Sequence, residues 1–378
     1  MVLNSFLIIH LNHAVFPFLM TEQIHSINDY GFLSIFDIEP QTARERVNAL
    51  FNDSGIIHFQ FYDCMERYEI PFDFNKKEWK DPLGRQIRRD TLEAYIDEIQ
   101  KINGKSWFYI PVYGVSPNYT AVGLEDALFR FVPETQEFVQ EWFCIDNDPQ
   151  RALVSVVDPS SQRWKEHFTE QLKLTVSNLG FCGIHFDQYG SLGERFKFRY
   201  KPNYNPKNYP NNWLLENIKD RNCFEEIDKI KLIVEFLEYF KGQMPDVPFT
   251  FNAADGYGLE ETMHLVEFPY LELWNDESIS FYSSKLSSSK LHSPELHSSR
   301  QDLSRGDNSS SKLTPSGKFV IAAYTPCKGG LFDDAVFIRR KHLINHNGGT
   351  FLYKGDDSRF LTSCYFPSAK KIEHAAFE

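Results

Sequence analysis

Two carboxylic acids follow apolar segments that have the pattern of buried strands. In the segment 180–190, Ile184 and Phe186 supply the apolar positions, and Asp187 follows where the strand pattern stops and a glycine-containing turn begins. In the segment 268–275, Glu272 occupies the corresponding place near the carboxyl end. Two acids at the ends of two strands are the minimum requirement for cleaving a glycosidic bond, because one protonates the leaving oxygen while the other acts on the sugar. This pairing therefore indicates glycosidase chemistry.

Alternating strand and helix patterns indicate the fold that would position these acids. Eight strand patterns lie near residues 31, 56, 106, 183, 249, 268, 319 and 350, with helical patterns between most of them. This alternation predicts an α/β fold, and eight repeats predict a closed (β/α)8 TIM barrel with long loops over its C-terminal mouth. The alternative is an open doubly wound sheet, although no glycine-rich phosphate loop follows any strand. In the barrel, Asp187 and Glu272 would end the fourth and sixth strands, at the mouth.

Changes in composition along the chain give the domain boundaries. We expect an N-terminal extension at 1–29, a catalytic barrel at 30–367 and a C-terminal tail at 368–378. Within the barrel, more than a third of the segment 287–316 is serine, and its hydrophobic periodicity is weak. This composition is typical of a disordered insertion.

Local patterns also predict where individual elements begin and end. Asp90 followed by Glu93 forms a capping-box pattern, which predicts Asp90 as the N-cap of a helix over 90–102. The segment 153–157 could be a short strand, but we set it aside as loop to reach the count of eight. Two further helices are predicted, an amphipathic one at 223–242 and a short one at 258–265.

The overall composition argues against several kinds of partner. The formal net charge of −12 argues against nucleic acid, because phosphate binding requires a basic surface. The six cysteines form no CxxC pair, which favours free thiols in a reducing compartment over disulfides or a zinc site. Residues 1–20 contain no Lys or Arg, and polar residues interrupt their apolar run, so they make a poor signal peptide and a poor membrane span. We therefore expect no membrane partner, and a cytoplasmic location is favoured over secretion.

Five blocks, in order along the chain, resemble glycoside hydrolase family 66, the endo-dextranases and related cycloisomaltooligosaccharide glucanotransferases. The blocks are Gln60-Phe61-Tyr62-Asp63, Asp81-Pro82-Leu83-Gly84, Gly180 to Gly190, Phe268 to Trp274, and Val320-Ile321-Ala322-Ala323-Tyr324. The resemblance implies that Asp187 is a nucleophile after the fourth strand and Glu272 an acid/base after the sixth, which agrees with the strand count. Members of the family are usually larger, with β-domains and a secretion signal, and this chain has little room for either.

The same resemblance implies the substrate class and leaves the outcome of the reaction open. It implies an α-glucan polysaccharide or oligosaccharide substrate with α-1,6 linkages, such as dextran, cleaved with retention through a covalent glycosyl-enzyme. One alternative is transglycosylation that yields cyclic isomaltooligosaccharides. Another is a non-catalytic carbohydrate-binding barrel, against which the presence of both acids argues.

Other side chains near strand ends are candidates for substrate binding. Asp63 and Asp356 end the second and eighth strand patterns, and each could bind a sugar hydroxyl or brace the barrel rim. The amides that could bind hydroxyls or only brace the acids are Gln188, Asn252 and Asn275. The aromatic residues that could stack on a sugar ring are Trp274 and Tyr113.

No cofactor or metal ion is expected. His342 and His346 have the i, i+4 spacing of ligands on one helix face, and His185 and Asp187 alternate on one strand face. Neither pair has a third ligand in view, so neither is interpreted as a metal site, and His342 and His346 are taken as ordinary surface or loop histidines.

Overall fold

This computed structural model describes residues 30–116, 126–140, 142–144, 152–188, 197–201, 221–288, 319–328, 331–353 and 355. At the centre of this part of the chain lie eight parallel strands in two sheets. The five strands of the first sheet are, in spatial and chain order, β1 Tyr30–Ser34, β2 His58–Tyr62, β3 Lys105–Pro111, β4 Gly183–Asp187 and β5 Phe249–Phe251. The three strands of the second are β6 Tyr270–Glu272, β7 Val320–Ala322 and β8 Thr350–Leu352.

These eight strands are the eight predicted from the sequence, and their parallel pairing confirms an α/β fold. Single parallel bridges join the two sheets, from Asn252 to Tyr270 on one side and from Phe32 to Gly355 on the other. The described residues thus form sheets of five and three strands, and the predicted closed barrel is not shown.

Seven α-helices accompany the strands within the described residues. Their bounds are α1 Pro40–Ser54, α2 Arg89–Lys101, α3 Gln162–Leu179, α4 Lys229–Gln243, α5 Leu259–Thr262, α6 Asp276–Ser288 and α7 Asp334–His346. In α1, Ala43, Val47 and Leu50 are buried at helical spacing, and Gly55 ends the helix with a φ of 70°. None of the helices in the described part is long and apolar enough to cross a membrane.

Three predicted helix boundaries were wrong. Helix α2 begins at Arg89, so Asp90 lies in its first turn and pairs with Arg88 at 2.8 Å instead of capping the helix. Helix α4 begins only at Lys229, because the preceding Phe224 belongs to a short strand and stacks on Phe138 at 4.1 Å between ring centroids. Tertiary packing therefore overrode helical periodicity there. Helix α5 is shorter than predicted and starts after a left-handed residue, Gly258.

Antiparallel strands occupy the long connections on either side of β4. The segment set aside as loop is in fact the strand Ala152–Val156, which pairs antiparallel with Gly114–Val115 and Trp142–Cys144 and so stays outside the parallel sheets. A four-stranded sheet contains Phe129–Val132, Glu137–Gln140, Phe198–Tyr200 and Phe224–Glu226. Two hairpins pair Glu78–Lys80 with Gln86–Arg88 and Cys327–Lys328 with Leu331–Phe332.

The parallel strands bury both of their faces, as strand β4 illustrates. Ile184 and Phe186 belong to the core shared with the helices, and the ring of Phe186 lies 5.4 Å from that of Phe236 in α4. His185 and Asp187 alternate with them and therefore point to the opposite face. On that face lies an aromatic cluster that includes Trp107. The aromatic cluster fills the space between the strands below the carboxyl end of β4, where Asp187 lies.

Several predictions concern residues outside the described part of the chain. These are the 1–29 extension, the 368–378 tail and most of the serine-rich segment, of which 289–318 lie outside. Residues 287 and 288 were assigned to that insertion but form the last residues of α6. Among the described residues, Cys64 and Cys182 carry free thiols.

Candidate active site

A cavity of about 440 Å³ lies at the carboxyl ends of the parallel strands and contains both predicted acids. Asp187 ends β4, Glu272 ends β6, and Asn252 follows the last residue of β5 between them. Because the strands are parallel, their carboxyl ends meet at one edge of the sheets, where ligands bind in α/β folds. Two acids that are distant in the chain are thus brought to one site.

A single side-chain amide joins the two acids. Asn252 Nδ2 donates to Asp187 Oδ1 at 2.7 Å and to Glu272 Oε2 at 3.0 Å. The two acceptor oxygens share one nitrogen, so their separation cannot exceed the sum of these two distances. The hydrogen bonds therefore hold the two carboxyl groups close together, with one oxygen of each facing the same amide nitrogen.

The surroundings of Glu272 favour its protonated form. Burial, followed by the negative charge of Asp187, raises the pKa of Glu272 from 4.5 to about 7, although Asn252 and Tyr324 donate hydrogen bonds that lower it. Such a carboxyl group can hold a proton near neutral pH and release it to a leaving group.

Asp187 is buried, but donors surround it. Burial raises its pKa, and the hydrogen bonds from Tyr109, Asn252 and the Gln188 backbone N–H oppose that shift because they stabilise the carboxylate. Tyr109 Oη donates to Asp187 Oδ2 at 2.7 Å, so each carboxylate oxygen has its own side-chain donor. This arrangement suits an ionised oxygen that must be held in one orientation.

Tyr109 and Tyr324 are site residues that the sequence analysis missed. Tyr109 lies in β3 and stacks on His185, with ring centroids 6.0 Å apart, while Tyr324 follows β7 and donates to Glu272. Burial lowers the pKa of His185 to about 3, and its Nδ1 lies 2.7 Å from Thr250 Oγ1, so the ring is a neutral support for Tyr109. The sequence did offer one signal for Tyr109: it lies near the carboxyl end of its strand, at a position whose side chain alternates toward the same face as the site.

Asp63 lines the cavity and also belongs to a partly buried ion-pair group. Arg85 Nη2 lies 3.3 Å from Asp63 Oδ2, and Arg85 Nε lies 2.6 Å from Asp81 Oδ2. Burial raises the pKa of both carboxyl groups, that of Asp81 to about 6, while the guanidinium lowers both. The structure therefore places Asp63 where it can face a ligand while Arg85 holds it at the rim.

The other predicted binding residues divide between the cavity and elsewhere. Gln188 and Trp274 line the cavity, and Trp274 is 51% exposed and stacked on Tyr324 at 4.6 Å between centroids. Tyr113 is instead fully buried in the core, and Asn275 accepts from the Ser278 backbone N–H at 2.8 Å, at the start of α6. Neither lines the cavity.

One predicted binding residue, Asp356, and the question of a metal site complete the comparison with the sequence. Asp356 lies outside the described residues. The described residues contain no group of three or more His, Cys, Asp or Glu side chains that could hold a metal ion. One cavity-lining acid was not predicted, Asp255, whose φ of 55° is unusual for a residue other than glycine.

Comparison with known families decides the class of this protein. The sequence profile described as Glycosyl hydrolase family 66 matches residues 24–375. The chain belongs to glycosyl hydrolase family 66. Membership confirms the resemblance found in the sequence, and this family is one of glycosidase-type enzymes.

Relatives within family 66 include two cycloisomaltooligosaccharide glucanotransferases from Niallia circulans. Each is 28% identical, over 178 and 177 residues, and each alignment covers 45% of this chain and 18% of the relative. A crystal structure of the same enzyme from Paenibacillus sp., complexed with cycloisomaltoheptaose, has a TM-score of 0.58 and 20% identity over 81% of this chain and 39% of that one. The fold is therefore shared, while the chain spans well under half the length of these relatives.

Proposed function

We propose that this protein is a retaining glycosidase that cleaves α-1,6 linkages of dextran-like glucans, with Asp187 as nucleophile and Glu272 as acid/base. The observation that carries the proposal is the amide shared by the two carboxyl groups, whose nitrogen lies 2.7 Å from one acceptor oxygen and 3.0 Å from the other. Retaining enzymes hold their carboxyl groups roughly 5–5.5 Å apart, whereas inverting enzymes need roughly 6.5–9.5 Å to admit a water molecule. The two oxygens that face the amide can be no further apart than the sum of these distances, and this close approach of the carboxyl groups supports the retaining arrangement.

In the first step, the Asp187 carboxylate attacks the anomeric carbon and forms a glycosyl ester as the bond to the leaving oxygen breaks. Glu272 gives its proton to that oxygen, so the leaving sugar departs as an alcohol and Glu272 becomes a carboxylate. In the second step, Glu272 takes a proton from water, which attacks the anomeric carbon and releases Asp187. The raised pKa of Glu272 suits the first role, and loss of the neighbouring negative charge in the ester lowers that pKa for the second.

The substrate class rests on the family and on the shape of the cavity. The relatives are named for cycloisomaltooligosaccharides, and one is complexed with cycloisomaltoheptaose. The exposed face of Trp274, held by its stacking on Tyr324, suits the apolar face of a glucose ring beside the acids. We also propose that the two parallel sheets close into one barrel, for which the single bridges at both junctions are the support.

Transglycosylation is the second candidate, and the names of the relatives favour it as much as hydrolysis. The glycosyl-enzyme is common to both reactions, and they differ in whether water or a sugar hydroxyl takes it up. The candidate product is a cyclic isomaltooligosaccharide, formed when the acceptor is the far end of the same chain.

The test is release of reducing ends from dextran by the purified protein, with Asp187→Asn and Glu272→Gln assayed in parallel. We expect activity that both variants lose by orders of magnitude, and a product of retained α configuration by NMR. Chromatography of the products then separates linear fragments from rings. A folded wild-type protein that cleaves no α-1,6-glucan would overturn the proposed substrate, and activity that survives Asp187→Asn would overturn the nucleophile.

A further inference from the structure

Two buried amide oxygens at the cavity have no hydrogen-bond donor among the described residues. They are Asn252 Oδ1 and Gln188 Oε1. Both residues line the cavity, and both are almost wholly buried, at 4% and 2% exposed. A buried acceptor without a donor is unfavourable, by roughly 1–3 kcal/mol, unless a ligand supplies that donor.

The orientation of both amides is fixed by the groups that their nitrogens contact. The Asn252 nitrogen faces Asp187 and Glu272, and the Gln188 nitrogen donates to the Tyr257 carbonyl at 3.4 Å. Exchanging the nitrogen and oxygen of either amide would place its oxygen against these acceptors, which would be repulsive. The oxygens are therefore the atoms left for a ligand, and they can only accept.

The acidic groups of the cavity also favour a ligand that donates hydrogen bonds. Its lining includes four carboxyl groups, those of Asp63, Asp187, Asp255 and Glu272, and it includes no lysine or arginine among the described residues. A ligand that satisfies such a surface must be rich in hydroxyl donors and carry no negative charge. A neutral sugar meets both conditions, whereas a phosphorylated or acidic sugar does not.

The position of Asn252 indicates which hydroxyl it receives. Its amide contacts the Asp187 carboxylate, which attacks the anomeric carbon C1 in the proposed reaction. The hydroxyl nearest to C1 on the ring is the one on C2, and hydrogen bonds to this group strengthen in the transition state of glycoside cleavage.

We propose that Asn252 Oδ1 and Gln188 Oε1 form an acceptor pair that selects the sugar at the cleavage position, with Asn252 receiving its C2 hydroxyl and Gln188 a second hydroxyl. This inference rests on the proposed function. The pair makes the site specific for neutral sugars with both hydroxyls free, and it assigns Asn252 two tasks: its nitrogen orients the acids and its oxygen binds substrate.

The first test compares p-nitrophenyl α-isomaltoside with its analogue that lacks the C2 hydroxyl on the glucose carrying the nitrophenyl group. We expect wild type to prefer the parent substrate by at least about 100-fold in kcat/KM, and Asn252→Leu to lose most of this preference while also losing overall rate. Because both substrates are assayed with the same protein, the ratio of their kcat/KM values cancels the general effect of the substitution on the two acids. An unchanged ratio in Asn252→Leu would overturn the assignment of the C2 hydroxyl.

The second test uses Gln188→Met, which keeps the length of the side chain and removes its acceptor. We expect about a tenfold or greater fall in kcat/KM on the parent substrate with an unchanged melting temperature. The matched control is Asn275→Ala, an amide near the site that does not line the cavity, and its kcat/KM should equal that of wild type. Wild-type activity in folded Gln188→Met would overturn the second contact. A wild type that cleaves no α-1,6-glucan would overturn the proposed function and this inference together.

Discussion

The hydrogen bonds of the site allow the pKa of each acid to be perturbed separately, and the pH dependence of kcat/KM reports each change. In the proposed mechanism, cleavage requires an ionised Asp187 and a protonated Glu272, so kcat/KM should rise with pH as Asp187 ionises and fall as Glu272 loses its proton near pH 7. Tyr109 donates to Asp187, Tyr324 donates to Glu272, and Asn252 donates to both. Each donor stabilises the ionised acid that it contacts, so removing it raises that pKa.

The expected displacement follows from the strength of these bonds. A hydrogen bond to a charged group contributes about 1.5–3 kcal/mol, and one pKa unit corresponds to about 1.4 kcal/mol, so each lost donor should raise the affected pKa by about 1–2 units. Tyr109→Phe should therefore move only the acidic limb of the profile upward, and Tyr324→Phe only the basic limb. Asn252→Leu, which is close in shape to asparagine and keeps water out, should move both limbs upward.

The assay is kcat/KM for an isomaltooligosaccharide across pH 4 to about 9 for wild type and the three variants, with circular dichroism at each pH to confirm folding. The apparent pKa values belong to the coupled pair, so the displacement of each limb is compared between variants. If Tyr109→Phe moved the basic limb and Tyr324→Phe the acidic one, the two acids would have exchanged roles. If both variants lost activity with neither limb displaced, these tyrosines would not act through the acids.

Three further outcomes follow from the site. Glu272→Gln should stabilise the fold increasingly as pH rises from about 4.5 to 7, by up to about 3 kcal/mol in urea unfolding. Over that range the unfolded Glu272 ionises while the folded Glu272 keeps its proton, so the wild type progressively loses stability that the glutamine variant keeps. An equal effect at pH 4 and pH 8 would contradict the raised pKa. Arg85→Met should destabilise the fold by about 3–5 kcal/mol at pH 8, where the buried Asp81 and the partly buried Asp63 would be left charged without their partner. The loss should be smaller at pH 5, and a loss independent of pH would contradict the role assigned to the ion pair. Trp274→Ala should raise KM for dextran about 3–10-fold with little change in kcat, and an unchanged KM would exclude it as a sugar platform.

The sequence predicted the strands better than it predicted what lies between them. Each parallel strand is an apolar run bounded by turn residues, and burial on both faces makes such runs easy to count. The strand Ala152–Val156 has the same kind of pattern, but its partners are remote and antiparallel, so no local signal separated it from the parallel set. Phe224 likewise carries the apolar spacing of a helix but packs against Phe138.

The sequence predicted those residues of the candidate site that lie at the ends of strands. Asp187, Glu272, Asn252, Gln188 and Trp274 all end strands or lie just beyond them, and the cavity contains all five. Two kinds of residue escaped this reasoning. One is the pair of tyrosines that donate to the acids: Tyr109 had only its inward alternation near a strand end as a signal, which many aromatic residues of the core share, and Tyr324 lies just past the end of its strand. Amides beyond a strand end can also serve the local backbone, as Asn275 does in accepting from Ser278.

The separation of the two acids depends on strand register, which sequence does not give. Phe186 of β4 pairs with Phe251 of β5, so Asn252 is level with Asp187, and the bridge from Asn252 to Tyr270 places Glu272 two residues further along β6. Strands β5 and β6 have three residues each, too few for their patterns to specify one register. A slip of β5 by one residue would turn Asn252 to the opposite face and remove both of its bonds to the acids. The chemistry of this site therefore depends on the register of the short strand β5 as directly as on the identity of the two acids.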